Sequence, residues 1–170
     1  MATEQIENLK DWLRDAHAME QQAESMLKAQ AARLEHYPRL KARIEEHLQE
    51  TQAQKALLEG CFERLDISPS TIKDALGKVA AIGQALGGSV NSDEVVKGVI
   101  ASYVFENLEI ASYTSLKAAA QAVGDSAVAQ VCDQILPQEQ AMADWLRQYI
   151  PEVTEEFLAR DATPGVTAKK

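Results

Sequence analysis

The stretch that decides the fold is Glu106-Asn107-Leu108-Glu109-Ile110-Ala111-Ser112-Tyr113, which lies within a long apolar segment. Its inward positions continue a spacing of three and four residues that starts at Val99 and Tyr103, and this spacing predicts one face of a helix. Glu106 lies at the centre of that face, and Glu109 stands one turn away at its edge. Burying an ionised carboxylate without a partner costs several kcal/mol, roughly, so these acids indicate a positive group beside them.

Three other helix-length segments also place polar residues near the middle of an apolar face. These residues are Glu20 in the first segment, His47 with Glu50 in the second, and Glu139 in the fourth. A helix rises about 1.5 Å per residue, which puts all of these positions at about one height in a bundle. The sequence therefore predicts one buried polar layer.

Helical periodicity and capping residues predict the bounds of the four long helices. The predicted ranges are 4–34, 39–65, 92–123 and 125–150, with Pro151 ending the last. A shorter helix is predicted from the cap at Ser68-Pro69 to about Leu86. A last amphipathic turn should follow Pro151.

The connections between these helices predict an all-α, ferritin-like four-helix bundle. Short loops make two antiparallel hairpins, and the stretch from Asp66 to Asn91 is long enough to cross the length of the bundle with a fifth short helix. We expect residues 1–160 to form this single domain and residues 161–170 to form a disordered carboxyl-terminal tail.

Composition supports the helical class and excludes some partners. Of 170 residues, 46% are hydrophobic and only 5% aromatic, with few β-branched runs, which disfavours a sheet protein. The net charge of −9 argues against nucleic acid and against an anionic membrane, because both require concentrated Lys and Arg. No apolar run approaches the roughly 20 residues that span a bilayer.

The amino-terminal residues lack the basic and apolar regions of a secretion signal, so a cytoplasmic location is predicted. Cys61 and Cys132 sit on apolar helix faces without a CxxC spacing. We interpret them as buried, reduced thiols that form neither a disulfide nor a zinc site.

The polar layer has two interpretations. Hard cations such as iron or manganese bind oxygen ligands together with an imidazole, and rigid helices can hold such a set. Alternatively, each acid is a packing residue that reaches water or pairs with a nearby Lys or Arg.

Three segments resemble the YciE/YciF-like bacterial stress proteins of the ferritin-like superfamily. They are Asp15-Ala16-His17-Ala18-Met19-Glu20, His47-Leu48-Gln49-Glu50-Thr51 and the stretch from Glu106 to Tyr113 quoted above, with Glu139 where the family has glutamates on its last helix. The similarity spans roughly residues 4 to 150.

The resemblance implies a homodimeric bundle with a two-metal centre of iron or manganese. Its implied ligands are the five acids Glu20, Glu50, Glu106, Glu109 and Glu139, with the imidazole of His47. The chain departs from the Glu-x-x-His spacing of many di-iron bundles, because Ala53 follows Glu50 and Met142 follows Glu139 at that spacing.

Two functions follow as hypotheses. The first is a stress-response metal protein whose carboxylate-rich site handles oxygen or peroxide. The second is a non-catalytic structural dimer whose polar layer is a degenerate metal site. The sequence leaves open whether the protein is an enzyme.

Overall fold

The computed structural model describes residues 2–68 and 94–168, which form four long helices. They are α1 (Ala2–Ala31), α2 (Pro38–Leu65), α3 (Glu94–Val123) and α4 (Ser126–Asp161). The described ranges contain no strand, and the predicted all-α bundle is confirmed. The shorter helix predicted in the crossover falls on residues 69–86, which lie outside the described ranges.

The helices form two hairpins that pack side by side. α1 packs against α2 and α3 against α4, while α1 also contacts α3 and α2 contacts α4. The α3–α4 turn is set by Gly124, whose φ of +78° favours glycine. Asp125 then caps α4 by accepting a hydrogen bond from the Val128 amide at 3.1 Å.

The predicted end of the fourth helix at Ile150 is wrong, because α4 continues through Pro151 to Asp161. Proline removes one intrahelical hydrogen bond, but its φ angle is compatible with a helix. The side chains of Tyr149, Val153 and Phe157 are buried on one face on both sides of Pro151. Their burial compensates for the lost bond.

The chain after α4 contacts the bundle as far as Ala168, while the predicted disordered tail at 161–170 stays a prediction. The Tyr37 hydroxyl donates a hydrogen bond to the Ala168 carbonyl at 2.6 Å, and the Arg160 guanidinium donates to the Thr167 carbonyl. Ala168 is buried. The contact of Tyr37 with Ala168 joins residues 131 apart, so no local sequence pattern reveals it.

The apolar core is divided into two clusters. One contains Leu13, Leu58, Leu116 and Ile135, and the other is built around residues such as Ile44 and Leu146, with the polar layer between them. The predicted common height of the polar residues is therefore matched by the packing.

Candidate metal centre

Four side chains from three helices meet between the two apolar clusters. His47 comes from α2, Glu106 and Glu109 from α3, and Glu139 from α4. All four are buried, with at most 3% of any residue exposed. One ligand atom from each lies within 4.8 Å of the others, so this set, which we call the buried cluster, could hold a metal ion.

Helix geometry explains why these residues point to one place. Glu106 and Glu109 are three residues apart, and side chains at this spacing lie on neighbouring parts of one helix face. Glu139 lies within the continuous α4, two residues after Pro137, which is also inside the helix. The sequence pattern was sufficient to place these three acids.

One ring nitrogen of His47 faces the cluster, and the other ring nitrogen faces Glu50. Its Nε2 lies 3.1 Å from Glu106 Oε2 and 3.6 Å from Glu139 Oε2. Its Nδ1 lies 2.7 Å from Glu50 Oε2. A carboxylate behind an imidazole fixes the ring's tautomer and orientation, which leaves the opposite nitrogen available to a metal.

Glu50, predicted as a ligand, is therefore not brought into the buried cluster. Its side chain is 26% exposed, and Arg43 lies 3.4 Å from the same oxygen that contacts His47. The structure instead gives Glu50 the position of a support for the imidazole.

Glu20 is fully buried beside the cluster but is held separately. The Tyr113 hydroxyl donates a short hydrogen bond to Glu20 Oε1. Glu20 is not among the residues whose donor atoms meet within 4.8 Å. Of the six predicted ligands, the structure thus brings together four, and it places Glu20 and Glu50 next to them.

Several atoms of the cluster that could bind a metal lack hydrogen-bond partners among the described residues. As carboxylates, both oxygens of Glu109 and Oε2 of Glu139 are in this position, while His47 Nε2 lies 3.1 Å from Glu106 Oε2, close enough for an ion pair when the imidazole is protonated. Buried polar atoms are rarely left in this state, because each costs about 1–3 kcal/mol. Three carboxylates and one imidazole gathered in one buried space fit a bound cation.

Gln54 lies on the inner face of α2 and is not among the six predicted ligands. Gln54 is 1% exposed. Its amide donates a short hydrogen bond to Glu139 Oε1 and another, of 2.9 Å, to the side-chain oxygen of Gln138. The signal was its position seven residues after His47, two helical turns along the same face.

Burial is the largest influence on the pKa values of Glu20, Glu109 and Glu139. Burial raises the pKa of Glu20 to about 8, although the Tyr113 hydrogen bond opposes it, and burial with the charge of Glu106 raises the pKa of Glu139 to about 9. Burial and the charge of Glu139 raise the pKa of Glu109 well above its usual range. Without a cation, protons therefore take its place among these carboxylates.

The pKa of His47 moves in the direction that this negative surrounding predicts. Burial lowers it, but the adjacent carboxylates of Glu106 and Glu50 outweigh burial and raise it to about 10. An imidazolium at the centre of the acids is the positive group that the metal-free protein uses.

The cysteine prediction agrees with the structure. Cys61 and Cys132 are both buried free thiols. None of the described helices is long and apolar enough to cross a membrane.

Comparison with known proteins places these features in a family. The family described as "Domain of unknown function (DUF892)" matches residues 4–159. A solved structure of a protein from Xanthomonas campestris pv. campestris is 43% identical, with a TM-score of 0.79 over 94% of this chain and 99% of that one.

A more distant solved structure shows the same fold. YcfI from Rhodopseudomonas palustris, for which a structural role has been suggested, is 24% identical, with a TM-score of 0.68 over 84% of this chain and 92% of that one. At this identity the likeness supports the bundle alone.

Proposed function

Because the chain belongs to the DUF892 family, a ferritin-like family, we propose that it binds iron or manganese at the buried cluster and handles oxygen or peroxide there. The proposal rests mainly on the surroundings of the Glu109 carboxylate. When it is ionised, Glu109 has no hydrogen-bond partner for either buried oxygen in the described part of the chain, so its charge requires a bound cation or a proton. A bundle that only needed to be stable would gain by placing an apolar residue there.

The donor set favours iron or manganese over other common metals. Three carboxylates with one imidazole are harder than the Cys-rich or His-rich sets that hold zinc, while calcium and magnesium sites use oxygen ligands alone. The ligands would be His47 Nε2 and one or both oxygens of Glu106, Glu109 and Glu139. A bound redox-active metal would supply the electron transfer to oxygen or peroxide.

The chain's own groups would hold and surround that metal. Glu50 fixes the His47 ring through Nδ1, and Gln54 fixes one oxygen of Glu139. The two apolar clusters exclude water from both sides of the polar layer. A dry, preformed site of this kind limits side reactions of a reactive metal.

We also propose that the protein is a YciE/YciF-like stress protein, that it is located in the cytoplasm and that it forms a homodimer. The motifs around Glu20, His47 and Glu106 support the assignment by resemblance. The acidic charge and the reduced cysteines are compatible with the cytoplasm.

Metal analysis after anaerobic reconstitution with Fe²⁺ or Mn²⁺ tests the proposal. We expect near-stoichiometric, tightly held metal, and faster consumption of oxygen or hydrogen peroxide by the iron-loaded protein than by the metal-free protein. Retention of less than about a tenth of an equivalent of either metal would end the proposal. Metal retention with no change in the rate of oxidant consumption would keep the site and remove the reaction.

A second function, a non-catalytic structural protein, is favoured by specific contacts. Glu20 accepts a hydrogen bond from Tyr113, Glu139 accepts one from Gln54, and His47 pairs with Glu50. Such a network can specify packing by itself. It gives no reason for gathering three carboxylates and one imidazole in one buried space, which is why we rank it second.

A further inference from the structure

We propose that the buried cluster holds one metal ion and not two, and that Gln54 is the residue that excludes the second ion. This inference rests on the proposed metal-binding function and adds its stoichiometry and determinant. It departs from the paired metals of ferritin-like di-iron and di-manganese proteins.

The spacing of the donor atoms fits a single coordination sphere. With metal–ligand bonds of about 2.0–2.2 Å, ligands on opposite sides of one ion are about 4.2 Å apart. The four donors of the cluster all lie within 4.8 Å of one another.

The acids that would extend the site to a second ion are engaged elsewhere. Glu50 contacts Nδ1 of His47, on the opposite side of the ring from the nitrogen that faces the cluster. One oxygen of Glu20 accepts the hydroxyl of Tyr113, so Glu20 could offer a second ion only Oε2, which has no partner among the described residues. Neither residue contributes a donor to the cluster.

A second imidazole is also missing from the neighbourhood. The positions three residues after Glu50 and Glu139 hold Ala53 and Met142. Among the other two histidines, His17 pairs with Glu59 at 3.0 Å, and His36 is exposed in the turn between α1 and α2. A two-ion centre here would have to rely on one imidazole.

Gln54 occupies the place beside Glu139 where a second ion would need a ligand. Its amide nitrogen donates a hydrogen bond to Glu139 Oε1. That oxygen is therefore not free to bind a second ion. An amide nitrogen bears hydrogen atoms and cannot bind a cation. The remaining amide oxygen is a neutral ligand that does not offset the charge of a second metal.

Titration of the metal-free protein with Mn²⁺, followed by calorimetry and electron paramagnetic resonance, tests the inference. We expect one equivalent per chain with the spectrum of isolated Mn²⁺ ions. Two equivalents with an exchange-coupled spectrum would overturn the inference and leave the proposed function standing. Absence of binding would instead overturn the proposed function.

The variant Gln54→Glu tests the role assigned to Gln54. It replaces the amide with a carboxylate of the same shape, and we expect binding to rise to two equivalents with an exchange-coupled spectrum. Gln121→Glu, which adds the same charge at an exposed position of α3, should stay at one. If folded Gln54→Glu also stays at one, or if it fails to fold while Gln54→His, which also supplies a metal ligand, folds and stays at one, Gln54 is not the determinant.

Discussion

Replacing Glu109 with glutamine should have opposite effects on metal binding and on stability. Loss of a carboxylate ligand should weaken Mn²⁺ binding by about 100-fold or more. In the metal-free protein, however, the new amide can donate to the carboxylate of Glu139, which lacks a partner at Oε2. Removing a buried acid should therefore raise the free energy of unfolding by about 1–2 kcal/mol.

Calorimetry of Mn²⁺ binding and urea unfolding of the metal-free protein measure the two effects. Glu45→Gln is the matched control, because Glu45 is exposed on α2 and lies outside the cluster. It should change affinity by less than about twofold and stability by less than about 0.5 kcal/mol. A Glu109→Gln protein that is destabilised and still binds Mn²⁺ normally would show that Glu109 serves packing alone.

The metal-free protein should lose stability as pH rises from about 5.5 to about 8.5. The folded-state pKa is raised to about 8 for Glu20 and to about 9 for Glu139, from an ordinary value of 4.5. A group with a raised folded pKa contributes stability that is complete below its unfolded pKa and disappears as pH passes the folded value. His47, raised to about 10, acts in the same direction.

The acids with lowered pKa values do not cancel this slope. Burial of Glu24 is outweighed by hydrogen bonds from Lys28 and Lys55, the first the stronger, which lower its pKa to about 2. Glu24 is therefore ionised in both states across this pH range. We expect a net loss of at least about 2 kcal/mol, or roughly 4–8 °C in Tm, measurable by thermal unfolding at several pH values.

Glu20→Gln separates this effect from general alkaline sensitivity. Glutamine imitates the protonated acid and can still accept the Tyr113 hydrogen bond, so the slope of Tm against pH should become shallower. Glu45→Gln should leave the slope unchanged. A Tm that is constant or rises over this range in the parent protein would mean that the buried acids are ionised without metal.

Local patterns predicted the fold and most of the site because both depend on helical periodicity. The spacing of Glu106 and Glu109, and the central positions of Glu20 and Glu139, could be read from one helix at a time. Tertiary contacts decided the features that were missed. Pro151 stays inside α4 because Tyr149 and Phe157 are buried around it, and Ala168 is held by Tyr37 from 131 residues away.

The role of each polar residue was harder to predict than its position. His47 and Glu50 are one turn apart, and periodicity does not show that they contact each other through Nδ1. The same limit applied to Gln54, whose amide acts on Glu139 from another helix. His17 is also buried, against Phe62 and Glu59, and both contacts come from another helix.

Anomalous X-ray diffraction from crystals of the Mn²⁺-loaded protein, recorded at the manganese absorption edge, tests the central claim most directly. The account predicts one anomalous peak per chain within bonding distance of His47 Nε2 and the carboxylates of Glu106, Glu109 and Glu139. Full-occupancy peaks only at surface acids, with this position empty, would contradict it.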